Sequence, residues 1–432
     1  MPKDMTSETI FERRESEARS YCRSFETTFV KAQGAEMTDE SGRTYIDFLA
    51  GCSSLNYGHN DPDMKKALVD HIMADGVTHG LDMHTDAKAQ FLAAFENIIL
   101  KPRGMDYKVM MTGPTGTNAV EAAMKLARKV TGRRNIIAFT NGFHGMTMGA
   151  LSCTGNAAKR DGAGGGPLCG VSRMPFEGAF GNDADTLAQI ETLLENPSSG
   201  VDAPAAFIVE PVQGEGGLNA ASTKWLRGIA KLAKKHGALL IIDDIQAGCG
   251  RTGTFFSFEK MGIEPDLIPM AKSFSGMGLP FAALLVKPKH DIWKPAEHNG
   301  TFRGNTHAFV TARVALEKFW SDDSFEHDIA KKSEALTEGL QDVAALVPGA
   351  TLKGRGMMQG VDVGSGDLAE EICARAFEKG LIIETSGAYD EVVKVLAPLT
   401  IPDATLQTGL EILKDATWDV TVGQEKHAMA GE

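Results

Sequence analysis

Two ionisable residues, Asp243 and Lys272, stand directly after apolar segments of the chain. Residues 238–242 are apolar without alternation, which is typical of a strand that is covered on both faces of a parallel sheet. A second, largely apolar segment, residues 266–271, precedes Lys272 and a loop that contains glycines. Ligands of open parallel sheets bind at the carboxyl ends of the strands. We therefore expect the carboxylate and the amine to lie near each other at that edge of the sheet.

Two interpretations of this pair are open. An aspartate and a lysine at neighbouring strand ends could form an ion pair that only caps the sheet. They could instead form a site for pyridoxal phosphate, in which the lysine amine attaches to the cofactor and the carboxylate keeps the pyridine nitrogen protonated. The remaining motifs have to distinguish between them.

Three other polar turns follow predicted strands. The turn before Gly116 and Thr117 opens a helix-forming segment whose first N–H groups suit a phosphate, although an ordinary capped helix has the same pattern. Phe143 and His144 follow the next strand, where an exposed Phe143 could stack on a planar ring and a buried one would belong to the core. Glu210 stands beside a proline and glycines, which suits a turn cap or a substrate gate.

The segments that would position these residues alternate between strand and helix patterns. Strands are predicted at 108–111, 136–139, 205–210, 238–242 and 266–271, with helices from Thr117 and at 222–236. This alternation predicts an α/β fold with a doubly wound, mostly parallel sheet. A helical region near 306–346 would lead away from it to mixed strands and helices from Thr351 onward.

Other elements are predicted in the part of the chain that precedes the first strand of this sheet. Residues 1–27 read as a charged helical arm that packs across a partner subunit. A hairpin is predicted within 29–48, and helices near 62–74 and 84–99.

Composition excludes several classes of function. The 432 residues include 44 lysines and arginines and 57 acidic residues, and the net charge of −13 disfavours a nucleic-acid-binding surface. No stretch reaches the roughly 20 apolar residues that a membrane span needs, and the amino terminus lacks the apolar segment of a signal peptide. The six cysteines and eleven histidines show no metal-binding spacing, so we expect no metal and free thiols in the cytoplasm.

Taken in order along the chain, these motifs resemble those of the class III aminotransferases, a branch of the fold type I pyridoxal phosphate enzymes. The resemblance extends from residues 29–35 to 398–402 and is most specific in 243–253 together with Lys272. It implies a large cofactor-binding domain at 61–325. A smaller α+β domain would then be formed by both chain ends, 1–60 (with the arm) and 326–432. It also implies a homodimer as the minimal active unit, within a higher homo-oligomer or by itself.

The resemblance implies roles for particular residues. Lys272 would hold the cofactor and carry a proton between substrate and cofactor, and Asp243 would pair with the ring nitrogen. The remaining cofactor contacts would be Gly116 and Thr117 at the phosphate, Phe143 stacked on the ring with His144 beside it, Gln246 at the ring hydroxyl, and Thr301 reaching the phosphate from the neighbouring subunit.

Further motifs, including 299–305 and 383–388, are similar to the branch that transfers the amino group of glutamate to aspartate semialdehyde in ectoine biosynthesis. Glu210 would then be the gate between two substrates of different charge. Lys394 would bind the α-carboxylate, and the small Cys52 would make room for it. Two alternatives stay open: another ω-aminotransferase acting on 4-aminobutyrate, ornithine or a related amine, and a non-catalytic cofactor-binding regulator of the same fold.

Overall fold

The strands are short and fall into four sheets. The computed structural model describes residues 9–181 and 183–423. In chain order the strands are β1 (Phe29–Gln33), β2 (Glu36–Asp39), β3 (Thr44–Asp47), β4 (Lys108–Met111), β5 (Asn135–Phe139), β6 (Val171–Met174), β7 (Pro204–Val209), β8 (Val212–Gln213), β9 (Asn219–Ala220), β10 (Leu239–Ile242), β11 (Leu267–Met270), β12 (Ala283–Val286), β13 (Thr351–Arg355), β14 (Met358–Asp362), β15 (Leu381–Ile382), β16 (Glu384–Ser386) and β17 (Val392–Val395).

The helices alternate with these strands. They are α1 (Ile10–Arg14), α2 (Tyr21–Ser24), α3 (Ala50–Ser53), α4 (Pro62–Met73), α5 (Asp86–Ala94), α6 (Gly116–Thr131), α7 (Met148–Cys153), α8 (Ala157–Asp161), α9 (Thr186–Glu195), α10 (Thr223–Lys235), α11 (Thr306–Phe319), α12 (Ser324–Ala344), α13 (Gly366–Glu378) and α14 (Asp403–Trp418). Within the described ranges, none of these helices combines the length and the apolarity needed to cross a bilayer.

The central sheet has seven strands in the order β4-β12-β11-β10-β7-β5-β6. Strand β12 runs antiparallel to both of its neighbours, and the other pairings are parallel. Successive residues of β10 enter two different apolar cores, one on each face, because side chains alternate across a strand. Helix α6 packs on one face, and α10 and α11 pack on the other. The predicted doubly wound, mostly parallel sheet is confirmed.

Two smaller sheets are built from the chain ends. Strands β1, β2 and β3 form the predicted hairpin region, and β15 adds to it in parallel beside β3. Strands β13, β14, β17 and β16 form an antiparallel sheet. Both ends of the chain therefore contribute to one sheet, whereas the division at residues 60 and 325 stays a prediction.

A buried arginine joins the central region to the parts built from the chain ends. Arg251 is completely buried, and its guanidinium donates to Asn56 Oδ1 at 2.7 Å and to the carbonyl oxygens of Met357 and Ala397 at 3.1 and 2.6 Å. A planar group with several donors can satisfy acceptors from three segments at once. This contact fixes the loop after β10 against residues near both ends of the chain.

Two predicted helical regions differ from the structure. The region 306–346 is two helices, because the chain turns at 320–323, where Asp322 Oδ1 accepts the Ser324 N–H at 2.9 Å. The side chain of Trp320 is buried in that turn and donates to Tyr57 Oη at 2.8 Å. The predicted arm at 1–27 contains only the short helices α1 and α2 where it is described, and residues 1–8 lie outside the described residues.

Candidate active site

A cavity of about 490 Å³ lies at the carboxyl ends of the central strands. Its lining comes from the turns that follow β4, β5, β7, β10 and β11, since these ends meet at one edge of the sheet. The predicted site residues among its lining are Gly116, Thr117, Phe143, His144, Glu210, Asp243, Gln246 and Lys272. A larger surface groove of about 1140 Å³ shares none of its lining residues and holds none of the predicted residues.

Asp243 follows β10 and is held in a fixed orientation. Its backbone N–H donates to Val209 O at 2.9 Å, and its Oδ1 accepts the N–H of Ile245 at 3.2 Å. The other carboxylate oxygen, Oδ2, lies 2.7 Å from Nδ1 of His144, and both side chains are buried. Burial by itself would lower the pKa of His144, but the hydrogen bond and the charge of Asp243 raise it above its usual range. His144 thus holds the Asp243 carboxylate in one orientation.

Lys272 follows β11 in a single turn of 3-10 helix, with a positive φ of 56°. Such a backbone is unfavourable for a residue with a Cβ and is common where a site needs a side chain in one direction. The side chain lines the cavity. Among the described residues its Nζ has neither a hydrogen bond nor an ion pair, so the amine is free to react.

The start of α6 forms one end of the cavity. Its N-cap residue, Thr115, makes no side-chain capping bond, so the first N–H groups of the helix face the cavity without that partner. A Cβ on Gly116 would come within 2.9 Å of the Ile245 side chain, so a larger residue here would displace that side chain. The Thr117 hydroxyl lies 2.6 Å from that of Thr147. Backbone donors, a hydroxyl and the helix dipole together suit a phosphate.

Gln246 lines the cavity and also contacts two other residues, Cys52 and Glu215. Its Nε2 donates to Cys52 O at 3.3 Å and to Glu215 Oε1 at 3.2 Å. Its Oε1 is buried and has no hydrogen-bond partner. A buried acceptor without a donor is unfavourable, which indicates a ligand hydroxyl at this point.

Glu210 is tied to the backbone on both sides. Oε1 accepts the N–H of Phe143 at 2.8 Å, and Oε2 accepts the N–H of Gly214 at 3.2 Å. Burial raises the pKa of this carboxyl to about 7, in spite of the opposing effect of His144. No cation contacts either oxygen within the described residues. The geometry is that of a group that positions the Phe143 turn, and the predicted role of Glu210 as a gate stays a prediction.

Lys394 lies behind the cavity and not in its lining. It is fully buried on β17, with its Nζ 3.0 Å from Glu215 Oε1 and 2.9 Å from Glu384 Oε1. Burial alone would raise the pKa of Glu215, but the charge of Lys394 lowers it to about 2. Both carboxylates thus occupy Lys394 in this arrangement, and its predicted contact with the substrate carboxylate stays a prediction.

Glu215 lines the cavity and was not among the predicted residues. Its signal in the sequence was the second acid of the turn that begins at Glu210. Glu384, at the start of β16, lies in the motif 383–388, but nothing local in that motif relates it to residue 215 or 394.

Two further predicted residues lie outside the cavity lining. Cys52 has its Sγ 2.8 Å from the hydroxyl of Tyr21, and burial raises the pKa of its thiol to about 11, so the thiol keeps its proton at neutral pH. Thr301 is exposed within the single chain. Its predicted contact with a neighbouring subunit stays a prediction.

The comparisons with known proteins agree with this geometry. The family described as aminotransferase class III matches residues 18–417. The chain belongs to the class III aminotransferases. It is 56% identical to the diaminobutyrate–2-oxoglutarate transaminase of Halomonas elongata, over 94% of this chain and 98% of that one. The corresponding protein of Halalkalibacterium halodurans is also 56% identical, with 95% and 96% covered.

Solved structures show the same fold. An ornithine aminotransferase from Toxoplasma gondii is 26% identical, with a TM-score of 0.79, and the match covers 91% of this chain and 90% of the other. That structure is described as having partial occupancy of pyridoxal phosphate in its active site. An S-selective transaminase from Arthrobacter is 21% identical with a TM-score of 0.83, over 96% and 97% of the two chains, and supports the fold alone.

Pyridoxal phosphate is the cofactor of this class III enzyme, as in its family and its structural neighbour. The cavity has the groups that it requires. The start of α6 suits its phosphate, Asp243 suits its ring nitrogen, and the unpaired Gln246 Oε1 suits its ring hydroxyl. The free amine of Lys272 completes the set, and the residues present therefore fit the cofactor.

Proposed function

We propose that the protein transfers the amino group of L-glutamate to L-aspartate 4-semialdehyde, giving 2-oxoglutarate and L-2,4-diaminobutyrate for ectoine biosynthesis. One geometric observation carries the assignment of chemistry: a free lysine amine, a buried carboxylate and an uncapped helix start share one cavity. The choice of substrates is supported by the 56% identity to transaminases named for them, over nearly the full length of both chains.

The residues divide the work between holding the cofactor and moving a proton. When bound, pyridoxal phosphate supplies an electrophilic aldehyde carbon and a ring that accepts electrons from the substrate carbon. Asp243, oriented by His144, keeps the ring nitrogen protonated, which makes the ring a better electron acceptor. Lys272 Nζ attaches the cofactor at rest and then carries the proton between the substrate carbon and the cofactor.

Glu215, in place of Glu210, is the gate between the two substrates in this proposal. Glutamate brings a carboxylate to the far end of the cavity, whereas the other substrate brings both an ammonium and a carboxylate there. Glu215 lines the cavity and is paired with the buried Lys394 at 3.0 Å. If Glu215 turns aside, Lys394 becomes available to the glutamate carboxylate.

The enzyme is further proposed to be a cytoplasmic homodimer or a higher homo-oligomer. All six cysteines are free in the structure, as suits a reducing compartment. Thr301 is exposed in the single chain, and we propose that it contacts the cofactor phosphate of a second subunit. Sedimentation of the holoenzyme would give the subunit number.

A half-reaction with single donors tests the proposed substrates. Purified holoenzyme is mixed with one amine at a time, and the loss of the cofactor's visible absorbance is followed. We expect glutamate and diaminobutyrate to react, with ornithine and 4-aminobutyrate slower than diaminobutyrate. Faster reaction with ornithine or 4-aminobutyrate would transfer the assignment to another ω-aminotransferase, and no reaction with any donor would favour a non-catalytic binding protein.

A further inference from the structure

The buried charge cluster at the far end of the cavity has one more carboxylate than ammonium. It consists of Glu215, Glu384 and Lys394, with Lys394 Nζ about equally distant from one oxygen of each acid. When all three groups are ionised, the cluster has a net charge of −1. A single carboxylate would be enough to neutralise Lys394, so the second needs a reason of its own.

The accessible part of this cluster is carboxylate. The Lys394 side chain is 0% exposed, whereas the side chains of Glu215 and Glu384 are 25% and 11% exposed. The two glutamate side chains are therefore more accessible than the ammonium, with Glu215 in the cavity lining and Glu384 directly behind it, where its Oε1 is buried. Glu384 Oε1 lies 2.9 Å from Lys394 Nζ, so the oxygen without a hydrogen bond from a charged donor among the described residues is Oε2.

Burial makes the second carboxylate unfavourable in the absence of a ligand. Burial and the charge of Glu215 raise the pKa of Glu384, and Lys394 and Lys272 only partly oppose them. A further cation beside Glu384 Oε2 would give that oxygen a charged partner and balance the cluster. The side chain that contacts this oxygen is small: Cys52 Sγ lies 3.9 Å from Glu384 Oε2.

The substrates of the proposed reaction differ in the charge that they bring here. Diaminobutyrate and aspartate semialdehyde each have an α-ammonium beside the α-carboxylate at the end away from the reacting carbon. 4-Aminobutyrate has the same carbon chain as diaminobutyrate without the α-ammonium. Glutamate, reacting through its α-amino group, also presents only a carboxylate.

We propose that Glu384 binds the α-ammonium group of diaminobutyrate and of aspartate semialdehyde, and so selects substrates whose far end is zwitterionic. This inference rests on the proposed function and adds the residue that recognises the second amine. Glu384 acts by direct contact with substrate, and Lys394 holds its carboxylate in place.

Glu384→Gln tests this contact, because the amide keeps the shape and removes the charge. The holoenzyme variant is compared with wild type in half-reactions with diaminobutyrate and with 4-aminobutyrate, two donors that differ only in the α-ammonium. We expect kcat/KM for diaminobutyrate to fall about ten- to hundredfold, as for loss of one charge-assisted contact. The values for 4-aminobutyrate and glutamate should stay unchanged or rise.

Two further variants serve as controls. Glu371→Gln removes a carboxylate from an exposed position on α13 and should leave kcat/KM unchanged for both donors. Glu384→Asp keeps the counter-charge for Lys394 but withdraws the carboxylate by one carbon, so it should lower the use of diaminobutyrate in the same direction and to a smaller extent. If Glu384→Gln does not fold, Glu384→Asp is used in its place.

The outcomes separate the inference from the proposed function. Equal losses with diaminobutyrate and 4-aminobutyrate would mean that Glu384 only pairs with Lys394, and would overturn the inference while leaving the reaction assignment in place. A wild-type enzyme that does not use diaminobutyrate would overturn both. A loss confined to diaminobutyrate supports the contact.

Discussion

Replacing Glu215 by glutamine should change the two half-reactions of this enzyme in opposite directions. In the structure the Glu215 carboxylate accepts a bond from Lys394 Nζ at 3.0 Å and one from Gln246 Nε2 at 3.2 Å. In the proposed gate, glutamate reaches Lys394 only after the first of these contacts is broken. The glutamine side chain has no charge to hold Lys394, so that step becomes easier in the variant.

The size of the effect follows from the contact that is lost. A hydrogen bond to a charged group contributes about 1.5–3 kcal/mol, which corresponds to about ten- to hundredfold in a rate or binding constant. The KM for glutamate should fall by up to that factor, with kcat little changed. The diaminobutyrate half-reaction should be slowed by a similar factor, because one of the two carboxylates that face its ammonium is gone.

Glu210→Gln is the matched control in the same turn of the chain. Glu210 accepts two backbone N–H groups and contacts no cation among the described residues, so its replacement should change both half-reactions equally. Single-turnover absorbance with each donor, at several donor concentrations, measures both variants. Equal effects of Glu215→Gln on the two donors would refute the gate, and unequal effects of Glu210→Gln alone would return that role to Glu210.

Three other substitutions test the remaining groups. Lys272→Ala should keep the fold but lose repeated turnover with glutamate, and near wild-type activity would contradict the assignment. Asp243→Asn should weaken cofactor binding and lower kcat by several orders of magnitude, which titration with pyridoxal phosphate and steady-state kinetics would measure. Burial raises the pKa of Asp244 to about 7, so the folded state loses stability as pH rises towards that value. Asp244→Asn should therefore raise Tm at about pH 8 and change it little at about pH 4; a lower Tm at the higher pH would contradict this.

The central sheet was predictable because its strands are covered on both faces. A strand such as β10 must then be apolar at every position, and it ends where polar residues begin. The turn at 320–323 was not predictable in the same way. Trp320 is apolar and suits a continued helix, and its burial against Tyr57, far along the chain, is part of what fixes the turn there.

The residues of the site show the same difference between local sequence pattern and distant contact. Lys272, Asp243 and the start of α6 could be placed from sequence, because each directly follows a strand and parallel strands bring their carboxyl ends together. The roles of Glu210 and Lys394 could not be read in this way. Whether a carboxylate acts as a gate or a turn anchor depends on its partner, and Lys394 and Glu215 are 179 residues apart in the chain. Local sequence therefore determined which chemical groups reach the cavity. The packing of distant segments determined which charges those groups meet there, because electrostatic pairing depends on distance in space and on burial.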